Sequence, residues 1–222
     1  MSRTVPFHYA GAVTLPWDQL VALLVATSFA AGLNVYATLA TLGLLAHAGV
    51  LPLPTALQIL TNWWIIAASA GMFAIEFFAD KIPAFDLIWN ALHTFVRVPI
   101  AALLAYAATS QLSPEKQALA TLLGGVISLA AHGGKTAVRA VVTPSPEPFS
   151  NIGLSLGEDA IAIFLTWFAT RHPYWAAVIV FFLLAIIVTL LRWVVRALRA
   201  LFHGAERSFL SKFTSLSSLW LV

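Results

Sequence analysis

Two acidic pairs and three basic residues carry most of the chemistry this sequence can offer. Glu76 and Asp80 are four residues apart and share a face if they lie on a helix, while Glu158 and Asp159 are adjacent. Opposite in sign, His132, Lys135 and Arg139 follow i, i+3, i+7 spacing and form one stripe, and Arg97 lies between the two groups in the chain. Asp86 and His93 fall in a polar stretch just before Arg97. Carboxylates so placed bind or exchange cations and protons, and neighbouring cations tune their affinity or contact an anion. All of them lie in or beside strongly apolar runs. A charge at the centre of a bilayer costs about 2.5 to 3.5 kcal/mol even on insertion-derived scales, so each needs a partner or a water-filled cavity. Two readings follow: a solvated path for an ion, proton or small polar solute, or a set of buried ion pairs fastening helices together. Such pairs need not stabilise once desolvation is counted.

The elements that must hold these residues are membrane helices. Of 222 residues 60% are hydrophobic and only 9% charged, with Lys+Arg 12 against Asp+Glu 9. A soluble domain carries about 25% charged residues, so this chain cannot cover a water-facing surface and lipid is its natural solvent. At roughly 20 apolar residues per crossing, the length holds about six spans with short connections and leaves no room for a separate catalytic domain. There are no cysteines, which excludes disulfides, thiolate metal sites and a cysteine nucleophile.

Along the chain, Thr14, Pro16 and Asp18 read as a helix start with Thr14 as N-cap, and the residues before them lack the pattern of a cleaved signal peptide. The apolar run then continues to about Val50, too long for one straight crossing, with Ala30-Ala31-Gly32-Leu33-Asn34 in its middle, so the first helix is expected to be tilted or broken. Further spans are expected over Asn62 to Ala79, Thr94 to Thr109, Gln117 to Val142 with an interruption at Ala130 to Lys135, Asn151 to Thr170, and Pro173 to Leu191. Asp80 to His93 and Thr143 to Ser150 read as polar connections. Both halves, 14–110 and 113–191, follow one plan: Pro just after Thr or Ser, a long helix interrupted near Ala-Ala and Gly, then a helix starting at Asn and bearing two acids. Three spans per half invert the second copy, so the expected fold is an all-α polytopic bundle of about six spans with a 3+3 inverted repeat and broken first helices, forming one transmembrane domain over 1–191.

Residues 192–222 differ. Arg192, Arg196, Arg199, His203 and Arg207 recur at three- or four-residue steps on one helical face, with Trp193, Val194, Leu198, Leu201 and Phe202 over much of the rest. This is a basic amphipathic helix suited to the anionic cytoplasmic headgroup layer, either recognising anionic lipids or a partner or simply anchoring orientation. Six spans with a cytoplasmic C-terminus place the N-terminus in the cytoplasm too.

Backbone unwound at membrane depth exposes groups that can coordinate ions, so Asn34 and the Gly133-Gly134 step beside Lys135 are further candidates, the latter as an anion-friendly helix end. Close helix packing explains the glycines equally well. Gly153-Leu154-Ser155-Leu156-Gly157 matches the spacing of a hydrolase nucleophile elbow but sits in an apolar helix, without the strand-to-helix turn that motif requires. No His-Glu-x-x-His occurs. His93 and His132 near carboxylates could bind a metal, although their spacing does not converge on a ligand set, and no cofactor is indicated.

The run Glu76-Phe77-Phe78-Ala79-Asp80-Lys81-Ile82-Pro83-Ala84-Phe85-Asp86, followed by Thr94-Phe95-Val96-Arg97-Val98-Pro99, resembles the bacterial membrane proteins grouped as the domain of unknown function 4126 family. His132 to Arg139, then Asn151 and Ser155 through Glu158-Asp159, resemble that family's second polar block, and the likeness covers roughly Leu24 to Thr170. Asn34 stands where many members carry Arg, and the Pro-rich loop Thr143 to Pro148 departs from their usual Asn/Thr-rich one. The resemblance implies that both polar blocks form a common site in a membrane protein, and it supplies no activity.

The expected function is therefore a small transporter or channel in the bacterial inner membrane, for an ion or small polar solute, with the lipid bilayer as its solvent and a homo-oligomer as an open assembly state. A non-enzymatic assembly or lipid-interacting protein is the alternative, an intramembrane enzyme acting on lipid headgroups is a third, and nothing points to nucleic acid.

Overall fold

The computed structural model describes residues 16–142 and 148–218, and the side chains of 83–87, 140–142, 148, 197–198 and 201–218 are outside that description. The described residues form seven α-helices and one 3₁₀ turn, with no strand. They are α1 (Trp17–Leu33), α2 (Val35–His47), the 3₁₀ turn Thr55–Thr61, α3 (Trp63–Ala79), α4 (Pro83–Ala108), α5 (Pro114–Val142), α6 (Pro148–Arg171) and α7 (Pro173–Ser218).

The long first apolar run breaks at a single residue. Asn34 adopts an extended conformation (φ −149°, ψ 103°), its N–H still bonds Ala30 O, and its side-chain oxygen accepts from Ala37 N at 2.9 Å. It thus ends α1 and caps α2, as Asn does well because its short amide can replace a missing backbone partner. The chain reverses there. Leu24 and Ala31 of α1 pack on Ala105 and Ala101 of α4, so the two helices run antiparallel. On α2, Tyr36 and Leu39 meet Val96 and Ile100, and Leu42 meets Leu104, so α2 runs along α4 in the same direction. Helices α1 and α2 therefore form a helical hairpin whose two ends lie together: Gln19, in the first turn of α1, and Leu51, just past α2, line the same cavity. A straight continuation would separate them by roughly 45 Å.

Small residues let the hairpin sit deep in the bundle. Helix α1 lies against α2, α4, α5 and α6, and Ala26, Ala30, Ala31 and Gly32 are buried. A Cβ on Gly32 would stand 2.7 Å from Ala131 Cβ of α5, closer than carbon atoms approach, so this crossing requires glycine. Large apolar side chains face outward instead, with Trp64 and Phe95 each 81% exposed, as expected of a bundle solvated by lipid.

Among the described residues three helices are long and apolar enough to cross a membrane, over Ile88–Ala108, Phe149–Arg171 and Pro173–Arg196, and a fourth crossing results if Thr55–Thr61 and Trp63–Ala79, bent by 67°, count as one. The first apolar run is divided into two shorter apolar helices, Trp17–Leu33 and Val35–His47, that fold back on each other. Helix α5 carries its charged residues through the bundle without interruption: the break expected at Ala130 to Lys135 is absent, and Gly133 is an ordinary helical position. A continuous helix is what keeps His132, Lys135 and Arg139 on one stripe, so no anion-friendly helix end exists at Gly133-Gly134. The two halves are consequently unlike, one opening with a hairpin and the other with an unbroken helix, which departs from the expected repeat. The polar stretch Asp80 to His93 is helical from Pro83, which places Arg97 and Pro99 near the middle of α4. Thr14 lies outside the described residues, and Pro16 stands at the N-cap of α1.

The chain divides into two compact units, Met1–Leu184 and Ala185–Val222. In the second, the described residues are helical and bear Arg192, Arg196 and Arg199 at the expected spacing, while the side chain of Arg207 lies outside the described residues.

Candidate functional site

Each helix around the hairpin turns a polar stripe toward one place in the first unit. From α3 come Glu76 and Asp80, from α4 Asn90, His93, Thr94 and Arg97, from α5 Ser128, His132, Lys135 and Arg139, and from α6 Asn151, Ser155, Glu158 and Asp159. All are buried except Thr94, which is partly exposed, and none of the ionised residues is more than 9% exposed. The hairpin tip, Leu33 and Asn34, supplies the remaining polar groups.

The three cations are all paired. Arg97 Nη2 donates to Glu76 Oε1, and its Nη1 donates to His132 Nδ1 at 2.9 Å. Lys135 lies 3.0 Å from Asp80, 3.3 Å from Glu158 and 3.7 Å from Glu76, and reaches Leu33 O at 3.4 Å. That carbonyl is one of those freed where α1 ends, so the lysine ties the hairpin tip to three acids. Arg139 bridges Asp80 at 2.9 Å and Glu158 at 2.5 Å. Asn151 Nδ2 donates to Asp80 O at 3.2 Å.

The histidines have fixed tautomers. A guanidinium can only donate, so His132 Nδ1 must accept and Nε2 carries the proton toward Thr94 Oγ1 at 2.7 Å. His93 Nδ1 faces the carbonyl of Trp89 at 2.8 Å and must donate, and its Nε2 lies 3.2 Å from Tyr36 OH. The His132 ring is therefore neutral in this arrangement.

Asp159 differs from the other three acids. Its Oδ1 accepts from Asn34 Nδ2 at 2.8 Å, an orientation imposed because Asn34 Oδ1 is committed to the Ala37 amide. No ion pair among the described residues includes it, and its Oδ2 is buried without a hydrogen-bond partner. Glu76 Oε2, Asp80 Oδ1, Asn151 Oδ1 and Ser155 Oγ are likewise buried and without a hydrogen-bond partner among the described residues. Four carboxylates face three cations in the described cluster, leaving one negative charge in excess when all are ionised.

The matched family model, described as Domain of unknown function (DUF4126), spans residues 21–193. The chain belongs to this family. No curated protein and no solved structure matches it. The region of this chain that aligns with the DUF4126 model contains every residue of the cluster and the hairpin except the first turn of α1.

Of the residues singled out from the sequence of this DUF4126 member, Glu76, Asp80, Arg97, His132, Lys135, Arg139, Asn151, Glu158, Asp159 and Asn34 come together, whereas the side chain of Asp86 lies outside the described residues. Sequence reasoning did not single out Tyr36, Asn90, Thr94 or Ser128 as site residues. The signal for three of them was present: Asn90, His93, Thr94 and Arg97 have i, i+3, i+4, i+7 spacing, and Ser128 extends the α5 stripe by one turn. Among the described residues no group of three or more His, Asp or Glu side chains is arranged to hold a metal ion. A separate cavity of about 430 Å³, lined in part by Gln19, Leu51, Arg171, His172 and Tyr174, involves none of the cluster.

Proposed function

We propose that the protein is a small inner-membrane transporter or channel that passes an ion or small polar solute through the acid–base cluster at the hairpin tip. The observation that carries this reading is the hairpin itself. Helix ends at membrane depth are tolerated only where other protein or a water-filled cavity takes up their free backbone groups, and the Asn34 tip meets both Asp159 and Lys135. Half-helix ends converging with ionisable residues are the construction of transport sites in other membrane folds. The excess carboxylate and the unpartnered oxygens support the same reading, because a set of charges serving only to fasten helices gains nothing from an unpaired member.

In the orientation we propose, α3, α4, α6 and α7 make four apolar crossings, the charge-bearing α5 makes a fifth, and the hairpin enters and leaves on one side. This differs from the six crossings and 3+3 inverted repeat expected from sequence. The basic residues Arg192, Arg196, Arg199 and Arg207 assign their end of α7 to the cytoplasm and to anionic lipid, by the positive-inside rule.

Reconstitution in proteoliposomes tests the transport reading. Solute and ion flux in the unaltered protein, reduced when Glu158 is changed to Gln, is the expected result; flux through Glu158→Gln equal to the original would remove the cluster from the path. A second reading, a non-enzymatic assembly protein, is favoured by the complete pairing of Arg97, Lys135 and Arg139, and it predicts no flux of any solute.

A further inference from the structure

Asp159 is set apart from its neighbours by geometry rather than by residue type, and the difference points to which ion the site handles. Its Oδ1 is held by Asn34 Nδ2 at 2.8 Å and its Oδ2 is buried with no partner among the described residues. One helical turn back on the same face of α6 lies Ser155, fully buried, whose Oγ has no partner, and another turn back lies Asn151, whose Oδ1 has none. At i, i+4 and i+8 these three oxygens form a file with steps of roughly 6 Å, leading from the Pro148 end of α6 to the hairpin tip.

We propose that Asp159 is an exchangeable proton site, with Asn34 as its positioning residue and the Asn151–Ser155 file as the polar route to it. The proposal rests on the transport reading above and names the ion. A proton is the cation this site suits. One proton on Oδ2 makes four carboxyls carry three charges, matching the three cations ion-paired within the cluster, Arg97, Lys135 and Arg139, and among the described residues no three His, Asp or Glu side chains are arranged to hold a metal ion. The other acids have no such freedom, because each is held by Arg97, Lys135 or Arg139.

The charged groups acting on Asp159 come from several elements. Lys135 acts from α5, Glu76 and Asp80 act from α3, and Lys81, which follows α3, is engaged with the Phe77 carbonyl at 2.7 Å and with its ring. Glu158 adjoins it on α6, and the hairpin contributes only the uncharged Asn34. The step is simple in its balance. Hydronium at the Pro148 end gives up a proton and becomes water as an O–H bond forms at Oδ2, and release breaks that bond, returning the proton to water as hydronium and regenerating the carboxylate. Asn34 keeps donating to Oδ1 in both states, so the carboxyl holds its position while Oδ2 exchanges.

Infrared difference spectra of the purified full chain between acidic and alkaline buffer test the site directly, alongside proton uptake into proteoliposomes driven by a pH gradient. The unaltered protein is expected to show a protonated-carboxyl C=O band that disappears on alkalinisation. Asp159→Asn should lose that band and the proton uptake, while Asn34→Ala should shift the band because its hydrogen bond is removed. No such band in the unaltered protein at any buffer pH, or a band unchanged in Asp159→Asn, overturns the proposal without needing any variant to transport. Proton uptake at full amplitude through a folded Asp159→Asn overturns it as well. A band that vanishes in Asp159→Asn, in a protein that moves nothing across the bilayer, upholds the proton site and refutes the transport reading instead.

Discussion

The two sides of the buried cluster are built from the same residue types and behave differently. On the side of α3, α4 and α5, Glu76, Asp80 and Glu158 are gripped by Arg97, Lys135 and Arg139. On the side of the hairpin tip, Asp159 is hydrogen-bonded by a neutral amide and makes no ion pair among the described residues, where the oxygens behind it on α6 also lack partners. Both sides are equally withdrawn from solvent, so burial alone does not separate them. The difference lies in what each side can tolerate. Removing a partner from the first leaves a charge buried without compensation, whereas the second already contains one and can neutralise it with a proton. The first side reads as the frame, and the second as the part that changes state.

Substitutions can sharpen or break that contrast, and they rank by size. Arg97→Met leaves Glu76 with only the longer contact to Lys135, at 3.7 Å, and removes the donor to His132, and should cost about 3 to 5 kcal/mol in chemical unfolding of the detergent-solubilised protein. A loss below about 1 kcal/mol would show that the paired side is not a frame. Gly32→Ala forces a Cβ against Ala131 at 2.7 Å and should cost about 1 to 3 kcal/mol while loosening the Leu33–Lys135 contact. Asn34→Ala removes the cap of α2 and the donor to Asp159, for which about 1 kcal/mol is expected from the cap alone. Asp159→Asn should be the mildest, within about 1 kcal/mol of the original or more stable, because an amide keeps the shape and removes a buried charge without a partner. If it proved as damaging as Arg97→Met in the same unfolding measurement, the two sides would not differ as described.

Much of this was legible in the sequence, for a physical reason. Charges in an apolar chain must find one another, so Glu76, Asp80, Lys135 and Arg139 could be assigned to one polar interior before any fold was known. The helical stripe of His132, Lys135 and Arg139 appears as expected. What sequence could not supply was direction. A helix interrupted at Asn34 looks the same whether the chain continues across the bilayer or turns back, because the deciding contacts, Leu24 with Ala105 and Leu42 with Leu104, are between residues far apart in the chain. The same ambiguity misled at Gly133-Gly134, where two glycines suggest a break and the packing of α5 keeps the helix whole. Nor did adjacency reveal that Glu158 and Asp159 do different work. Successive helical residues point about 100° apart, so one faces Arg139 and the other faces the hairpin.

The central claim is that the Asp159 side of the cluster is a working site that water reaches, and the absence of cysteine from the chain allows a clean measurement of it. Ser155→Cys introduces a thiol of similar size one turn from Asp159, in a background with no other thiol. Labelling of this variant by a small, membrane-impermeant thiol reagent is expected in proteoliposomes, from the side that holds the Pro148 end of α6, with loss of proton uptake as the label accumulates. A folded Ser155→Cys protein that stays unlabelled from both sides, and whose thiol reacts only after denaturation, would contradict the account and leave the cluster as a frame alone.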